Sequence, residues 1–268
     1  MTDAAETFQI SPETAEAYEA QFVPALFADW ASHTVAAGDI NKGTRVLDVA
    51  CGTGIVARTA ADQIGTGTIT AVDANQAMLD VARRVRPEID WQHGVVDDLP
   101  FADDAFDAVL CQMAMMFFPD RANAIAQMAR VTATNGRVVL CVPSSLDRQP
   151  AYAPFVDMVV RHAGPEAQSL LGTYFSCGDP AELTALMHAS GLSDVQTVTR
   201  MGTLKTPSIE AFVRTEVEGS PLVERLEDDV YTEIRHEAET VLAPFTTADG
   251  RADVPIEGHV IAGTRTAD

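Results

Sequence analysis

Hydrophobic and polar positions change rhythm several times along the chain. Tyr18, Phe22, Leu26 and Trp30 recur every four residues, the spacing of one helix face. Ser11-Pro12 ahead of them supplies a hydroxyl cap and a proline whose missing N–H is harmless in a first turn. Pro24 is expected to break or restart this helix. The stripe reads first as a helix packed on a core and second as a lid over a ligand. From residue 44 the pattern shifts to short apolar, β-branched runs alternating with helical stretches. Strands are predicted over 44–50, 68–73, 89–96, 106–111 and 137–142, with helices over 54–64, after an Asn75 cap, and over 121–131. Such alternation implies parallel pairing through right-handed crossovers, in a sheet covered on both faces. Asp179, Pro180 and Glu182 open another helix that Gly191 ends, and strands follow near 195–201 and over 257–266. Between them Leu222, Leu226, Val230, Ile234, Ala238 and Val241 form a long amphipathic stripe, with Pro207, Pro221 and Pro244 at its edges. The expected organisation is one domain over 1–268: an N-terminal helical cap (1–43), a ligand-binding core (44–143) and two helical elaborations (144–178 and 206–250).

Composition narrows the function. Of 268 residues 47% are apolar, enough for a buried core and unlike a disordered chain. Eighteen Lys and Arg against 39 Asp and Glu give a net charge of -21, which repels nucleic acid and anionic membranes. Lys42 and Lys205 are the only lysines; a salt-adapted source or a GC-rich genome gives that bias. Cys51, Cys111, Cys141 and Cys177 lack the spacing of zinc or redox motifs and read as reduced core thiols, with no metal expected. A start without a basic stretch leading into an apolar one, and no apolar run of about 18 residues, leads to the expectation of a cytoplasmic protein without a membrane span.

The segment from Asp48 to Ala57, Asp-Val-Ala-Cys-Gly-Thr-Gly-Ile-Val-Ala, places Gly52 and Gly54 where a strand turns into a helix, so that a ligand can approach the backbone. Gly52, Gly54 and Ala57 also satisfy the pattern of dinucleotide-binding loops, which keeps an NAD-dependent oxidoreductase as an alternative. Asp48, at the end of that strand, opposes a pyrophosphate and suits an ammonium or sulfonium group. Asp73 closes the second strand, where an acid can accept from both ribose hydroxyls, and Asp97 at the end of the third can accept from an adenine amino group. Three acids at successive strand ends, with Met78 for the adenine face, describe a pocket for S-adenosylmethionine.

Residues 44–143 resemble the class I methyltransferases, in particular the ubiquinone/menaquinone-biosynthesis-type group acting on small molecules. Val46 to Gly54 resembles that family's first motif and Val72-Asp73 its second. Asp97-Asp98-Leu99-Pro100-Phe101 and Phe106-Asp107-Ala108-Val109 resemble its third and fourth, and Asn135-Gly136-Arg137 fits the entry to the fifth strand. The resemblance implies an α/β, Rossmann-like, seven-stranded, mostly parallel sheet with the last strand antiparallel and helical lid insertions. Residue by residue it implies that Asp48 orients the methionine portion of the donor. Gly52 and Gly54 admit it, Asp73 holds the ribose, Met78 lies near the base and Asp97 bonds the adenine. Ala50, Thr53, Ala74, Val96, Asp98, Leu99 and Gln112 complete the expected donor contacts.

Methyl transfer from a sulfonium needs alignment and exclusion of water, and a base only if the acceptor must lose a proton. Among the histidines His162 is the candidate base. Gln112, past the fourth strand in an otherwise apolar run, is the candidate for addressing donor or acceptor; the run around it reads otherwise as core. Tyr152, Phe155, Tyr174 and Phe175 either line an apolar acceptor pocket or simply pack. The loop lacks the Asn-Pro-Pro-aromatic pattern of many adenine and glutamine N-methyltransferases. The expected partner is a small-molecule methyl acceptor, apolar or aromatic, with a homodimer as the expected assembly. A module that binds the donor without catalysis is the other alternative.

Overall fold

A computed structural model describes residues 10–65, 68–218, 220, 222 and 225–267. The chain opens with α1 (Pro12–Ala17), a π-helical stretch (Tyr18–Phe27) and α2 (Ala28–Ala37). There follow β1 (Val46–Val49), α3 (Ile55–Ile64), β2 (Ile69–Asp73), α4 (Gln76–Val85), β3 (Asp90–His93), β4 (Phe106–Gln112), α5 (Arg121–Val131) and β5 (Thr132–Pro143). The remainder is α6 (Tyr152–Ala163), α7 (Glu166–Gly172), α8 (Pro180–Ala189), β6 (Leu192–Thr206), α9 (Ile209–Glu218), α10 (Asp228–Val241) and β7 (Ala252–Arg265).

The strands form one seven-stranded sheet in the order β3-β2-β1-β4-β5-β7-β6. β1 pairs in parallel with β2 and with β4, β2 with β3, and β4 with β5, whereas β7 runs antiparallel to β5 and β6. The chain order reverses between β1 and β4, and in sheets of this kind ligands bind beyond the carboxyl ends of the strands at that point. Central strands covered on both faces must be apolar throughout, and all four residues of β1 are buried, Asp48 included.

Local chemistry fixes the helix ends. Ser11 Oγ accepts from Thr14 N–H at 3.2 Å, Asn75 Oδ1 from Met78 N–H at 3.1 Å, and Asp120 Oδ1 from Asn123 N–H at 2.9 Å, each satisfying a first-turn donor that the helix cannot. Pro24 does not break its helix, contrary to expectation. The turn widens instead, with Ala28 N–H reaching back five residues to Val23 O, which accommodates a residue without an N–H. The 222–241 stripe is also shorter than expected: α10 starts at Asp228-Asp229, two carboxylates suited to a helix N-terminus, leaving Leu222 and Leu226 before it. Pro221 lies outside the described residues. None of the four cysteines forms a disulfide, and all four are buried.

The chain divides into two compact units. The first holds the residues through Val142, Pro180–Thr199 and those from His259 onward; the second holds Pro143–Asp179 and Arg200–Gly258. Within the second unit Tyr152 packs edge-on to Phe175 and Phe212, with ring centroids 5.1 and 5.2 Å apart, and Phe155 packs against Phe212 at 5.1 Å. There Gln149, fully buried, donates through Nε2 to the carbonyls of Ser144 and Glu257, both at 2.9 Å, and accepts from Glu257 N–H at 2.9 Å. No described helix is long and apolar enough to cross a membrane.

Candidate active site

The loop after β1 is built from backbone geometry. Ala50, Gly52 and Gly54 all have positive φ, at 54°, 56° and 88°, a region that an alanine adopts only under strain. The same turn recurs after the neighbouring β4, where Met113 has φ 53°. Cys51 N–H donates to Val72 O and Met113 N–H to Cys141 O, at 3.1 and 2.7 Å, so both turns are held by the adjoining strand.

Asp73 ends β2 and organises this loop. Its Oδ2 accepts from Gly52 N–H and its Oδ1 from Asn75 N–H, both at 2.7 Å. Partial burial raises its pKa, against the opposing pull of the two amides. Each carboxylate oxygen retains further acceptor capacity. Asp48 is buried and its Oδ2 accepts from Ala57 N–H in the first turn of α3, at 2.9 Å. Burial pushes its carboxyl up to about 8, with the nearby Asp73 adding to the rise. Below that pH Asp48 is mostly uncharged, so its charge does not by itself oppose a pyrophosphate as the sequence reading supposed.

The two glycines differ. A Cβ on Gly54 would lie 2.1 Å from Trp91 Cη2, whereas one on Gly52 would meet only Tyr18, at 3.9 Å. Gly54 is therefore demanded by its backbone and by the Trp91 indole, and Gly52 is the position where a ligand can reach the main chain. Trp91, buried and donating from Nε1 to Arg86 O at 2.8 Å, was not singled out from sequence; a lone Trp in a short strand carries no signal of its partner. Tyr18 was read only as part of an apolar stripe, but its ring stands over Gly52 and stacks on Phe27, with centroids 5.2 Å apart. The segment is pinned by Arg58, whose guanidinium binds Glu19 at 2.8 Å with both side chains largely buried.

Asp97 does not end a strand. β3 stops at His93, and Asp97 sits four residues later in a single 3-10 turn, Val96–Asp98. Its side chain and that of Asp98 are exposed, while Leu99 is buried. The loop's backbone is fixed from α5: Asn123 Nδ2 donates to Asp97 O at 3.0 Å, and Arg130 donates to Leu99 O and Phe101 O at 2.9 and 2.7 Å. Ala74 is exposed and Met78 half-buried in the first turn of α4. Thr53 is buried, and its Oγ1 has no hydrogen-bond partner among the described residues, a polar atom that costs free energy unless a ligand satisfies it. Asp73, the Gly52 main chain and this hydroxyl fit an adenosyl donor with an amino-acid arm.

The two candidate reactive residues are each engaged in hydrogen bonds of their own. Gln112 at the end of β4 spends both ends of its amide on the N-terminal segment: Nε2 donates to Phe27 O at 3.1 Å, and Oε1 accepts from Thr34 Oγ1 at 2.8 Å. His162 belongs to the second unit, where Nε2 lies 2.6 Å from Glu237 Oε2.

Residues 46–136 match the model of a family described as a methyltransferase domain. The demethylmenaquinone methyltransferase of Renibacterium salmoninarum is 37% identical over 126 residues, 47% of this chain and 51% of that protein; the matched stretch thus spans about half the length of that relative. Among solved structures, the YcgJ protein of Bacillus subtilis superposes with a TM-score of 0.61 at 22% identity, covering 89% of this chain and 98% of that one. Phosphoethanolamine N-methyltransferase 2 of Haemonchus contortus, solved with S-adenosyl-L-methionine, gives 0.63 at 16% identity over 100% of this chain and 61% of that one. These likenesses establish the fold.

Proposed function

We propose that this chain, whose residues 46–136 match a methyltransferase-domain model, is a class I methyltransferase that moves a methyl group from S-adenosylmethionine to a small apolar or aromatic acceptor. The observation that carries the reading is Asp73, joined through Gly52 N–H to the loop at the reversal point of the sheet. When bound, the donor supplies an activated methyl on sulfur and a neutral thioether as leaving group. The chain's part is to hold and to dry. Asp73, already oriented by two amides, accepts from ribose hydroxyls; Asp48 lies beneath the loop as an acceptor for an ammonium; Thr53 offers an unsatisfied hydroxyl. Tyr18 covers Gly52 and excludes water, and exclusion of water is most of what an in-line methyl displacement asks of a protein. The demethylmenaquinone named for the Renibacterium relative makes a naphthoquinol a first acceptor to try. A charge of -21 disfavours nucleic acid as acceptor. A cytoplasmic homodimer completes the proposal.

Titration with S-adenosylmethionine, S-adenosylhomocysteine and NAD tests the donor. Binding of the first two and not the third is expected, and binding of NAD alone would overturn the reading. Asp73→Ala and Asp97→Ala should each weaken donor affinity by about 1–3 kcal/mol. Turnover on an acceptor panel separates an enzyme from a module that only binds.

A further inference from the structure

The edge of the sheet at β6 is open. β6 is the last strand of the order, with β7 on one side and no described strand on the other. Within the first unit, residues 195–199 read Val-Gln-Thr-Val-Thr, a run without charge in a chain of net charge -21. Gln196, Thr197, Val198 and Thr199 are all exposed, Val198 at 46%, so neither face of the strand is covered there. Valine and threonine favour pleated pairing, and an edge of this composition is ordinarily blunted by shortness, charge or cover. The opposite edge follows that rule: β3 has four residues, opens on the exposed Asp90, and its Trp91 carbonyl already accepts from Arg83 at 3.1 Å. Along 195–199 no backbone group bonds a described loop or helix. Charges stand only at the flanks. Asp194 precedes the run, with φ of 49° turning the backbone out of regular strand, and Arg200 follows it. Neither side chain makes an ion pair or hydrogen bond among the described residues.

We propose that residues 195–199 are the surface by which two copies of this chain associate, their β6 edges pairing antiparallel about a two-fold axis at Thr197. The inference rests on the homodimer proposed above and names its interface. In this register the run is complementary to itself. Thr197 faces the other copy's Thr197, Val195 faces Thr199, and Gln196 faces Val198, so β-branched side chains meet along one face, the kind of cross-strand pair that stabilises neighbouring strands. The flanks decide the register. Each Arg200 comes level with the other copy's Asp194, so that two unpaired charges of opposite sign meet at both ends of the ladder. An axis moved to Val198 would set Asp194 opposite Gly202 and Arg200 opposite Gln196, leaving both charges without a direct partner. A second copy is the occupant these features specify: the edge asks for an uncharged centre between an acid and a base, and β6 itself supplies one. A two-fold contact uses the same patch on both chains and closes on itself, and the turned backbone at Asp194 ends the ladder. Two bodies of the same negative charge repel at long range, so screening by salt favours their approach.

The test uses the full chain in about 0.3 M sodium chloride, where like-charge repulsion is screened. Sedimentation velocity over a concentration series should show monomer and dimer in equilibrium. Val198→Lys, which brings like charges into both edges, should leave monomer with the wild-type circular dichroism spectrum. Arg200→Asp should weaken association about threefold or more, and Arg200→Asp combined with Asp194→Arg, which exchanges the charges across the axis, should restore it. The register has its own readout. Thr197→Cys should form a disulfide between two chains under mild oxidation, because antiparallel partners stand about 4.5–5.5 Å apart at Cα, within disulfide reach. The native cysteines are buried, so the wild type should stay uncross-linked. Val195→Cys, whose two copies would lie about 14 Å apart along the strands, should not cross-link. A dimer untouched by Val198→Lys, or one cross-linked through Val195→Cys and not through Thr197→Cys, would overturn this interface while leaving a homodimer formed elsewhere. Monomer at every concentration would overturn the interface and the homodimer together, and S-adenosylmethionine binding, measured separately, keeps either result apart from the methyltransferase reading.

Discussion

At the scale of single residues the site is dominated by Asp48, Gly54 and Asp73. Asp48 ionises near 4 in an unfolded chain and near 8 when folded, so between those values the native state binds the extra proton. Its contribution to stability therefore falls as pH rises from about 4 to about 8. A cationic arm placed beside it reverses the balance and drives the proton off. Donor binding at pH 7 should accordingly release protons, seen as a binding heat that changes between buffers of different ionisation enthalpy, and Asp48→Asn should remove the difference. Equal heats in all buffers would refute this placement of the ammonium. Gly54→Ala should destabilise by about 2–4 kcal/mol in denaturant unfolding, since it combines left-handed backbone strain with an indole in the way. Gly52→Ala should fold with a smaller loss, about 1 kcal/mol of strain, and show its main deficit in donor affinity. The identities of these residues were legible because acids closing successive strands stand beside a two-glycine turn from strand to helix, a combination more specific than the glycines alone. The reason for Gly54 was not, because Trp91 is 37 positions away and only the fold brings them together.

At the scale of elements, strand and helix identities follow from periodicity, and the register from the apolar faces that must be buried. What eluded the pattern depended on tertiary contacts. β3 ends three residues before the expected strand end because Asn123 and Arg130 on α5 capture the backbone of the following loop, and nothing in 94–98 itself announces that. Pro24 was read as a break since a proline disrupts an α-helix, yet a widened turn admits it. Gln112 shows what a motif leaves out: its position at the end of a strand points to chemistry, and the fold adds two bonds to the N-terminal segment. Gln112→Leu should leave the sheet intact while amide exchange of residues 18–37 accelerates, and donor dissociation should quicken with it. Unchanged exchange there would show that the Arg58–Glu19 pair and ring stacking suffice.

At the scale of the molecule, acidity and local ion pairing oppose each other. The described ion pairs involve arginine in all but one case, and most are solvent-exposed, each worth little alone. A net charge of -21 repels itself at long range. The melting temperature should rise as sodium chloride is raised from about 0.05 to about 0.5 M, since screening acts on that repulsion more than on close pairs; a fall would mean the pairs prevail. Composition disclosed this balance at once, while the division into two units depends on which helices pack together. The chain has two tryptophans, and one of them is wedged against the first residue ahead of α3. Its intrinsic emission will thus register arrivals at the glycine loop, and replacing Trp30 with phenylalanine leaves a single built-in optical probe, dispensing with dyes or labels.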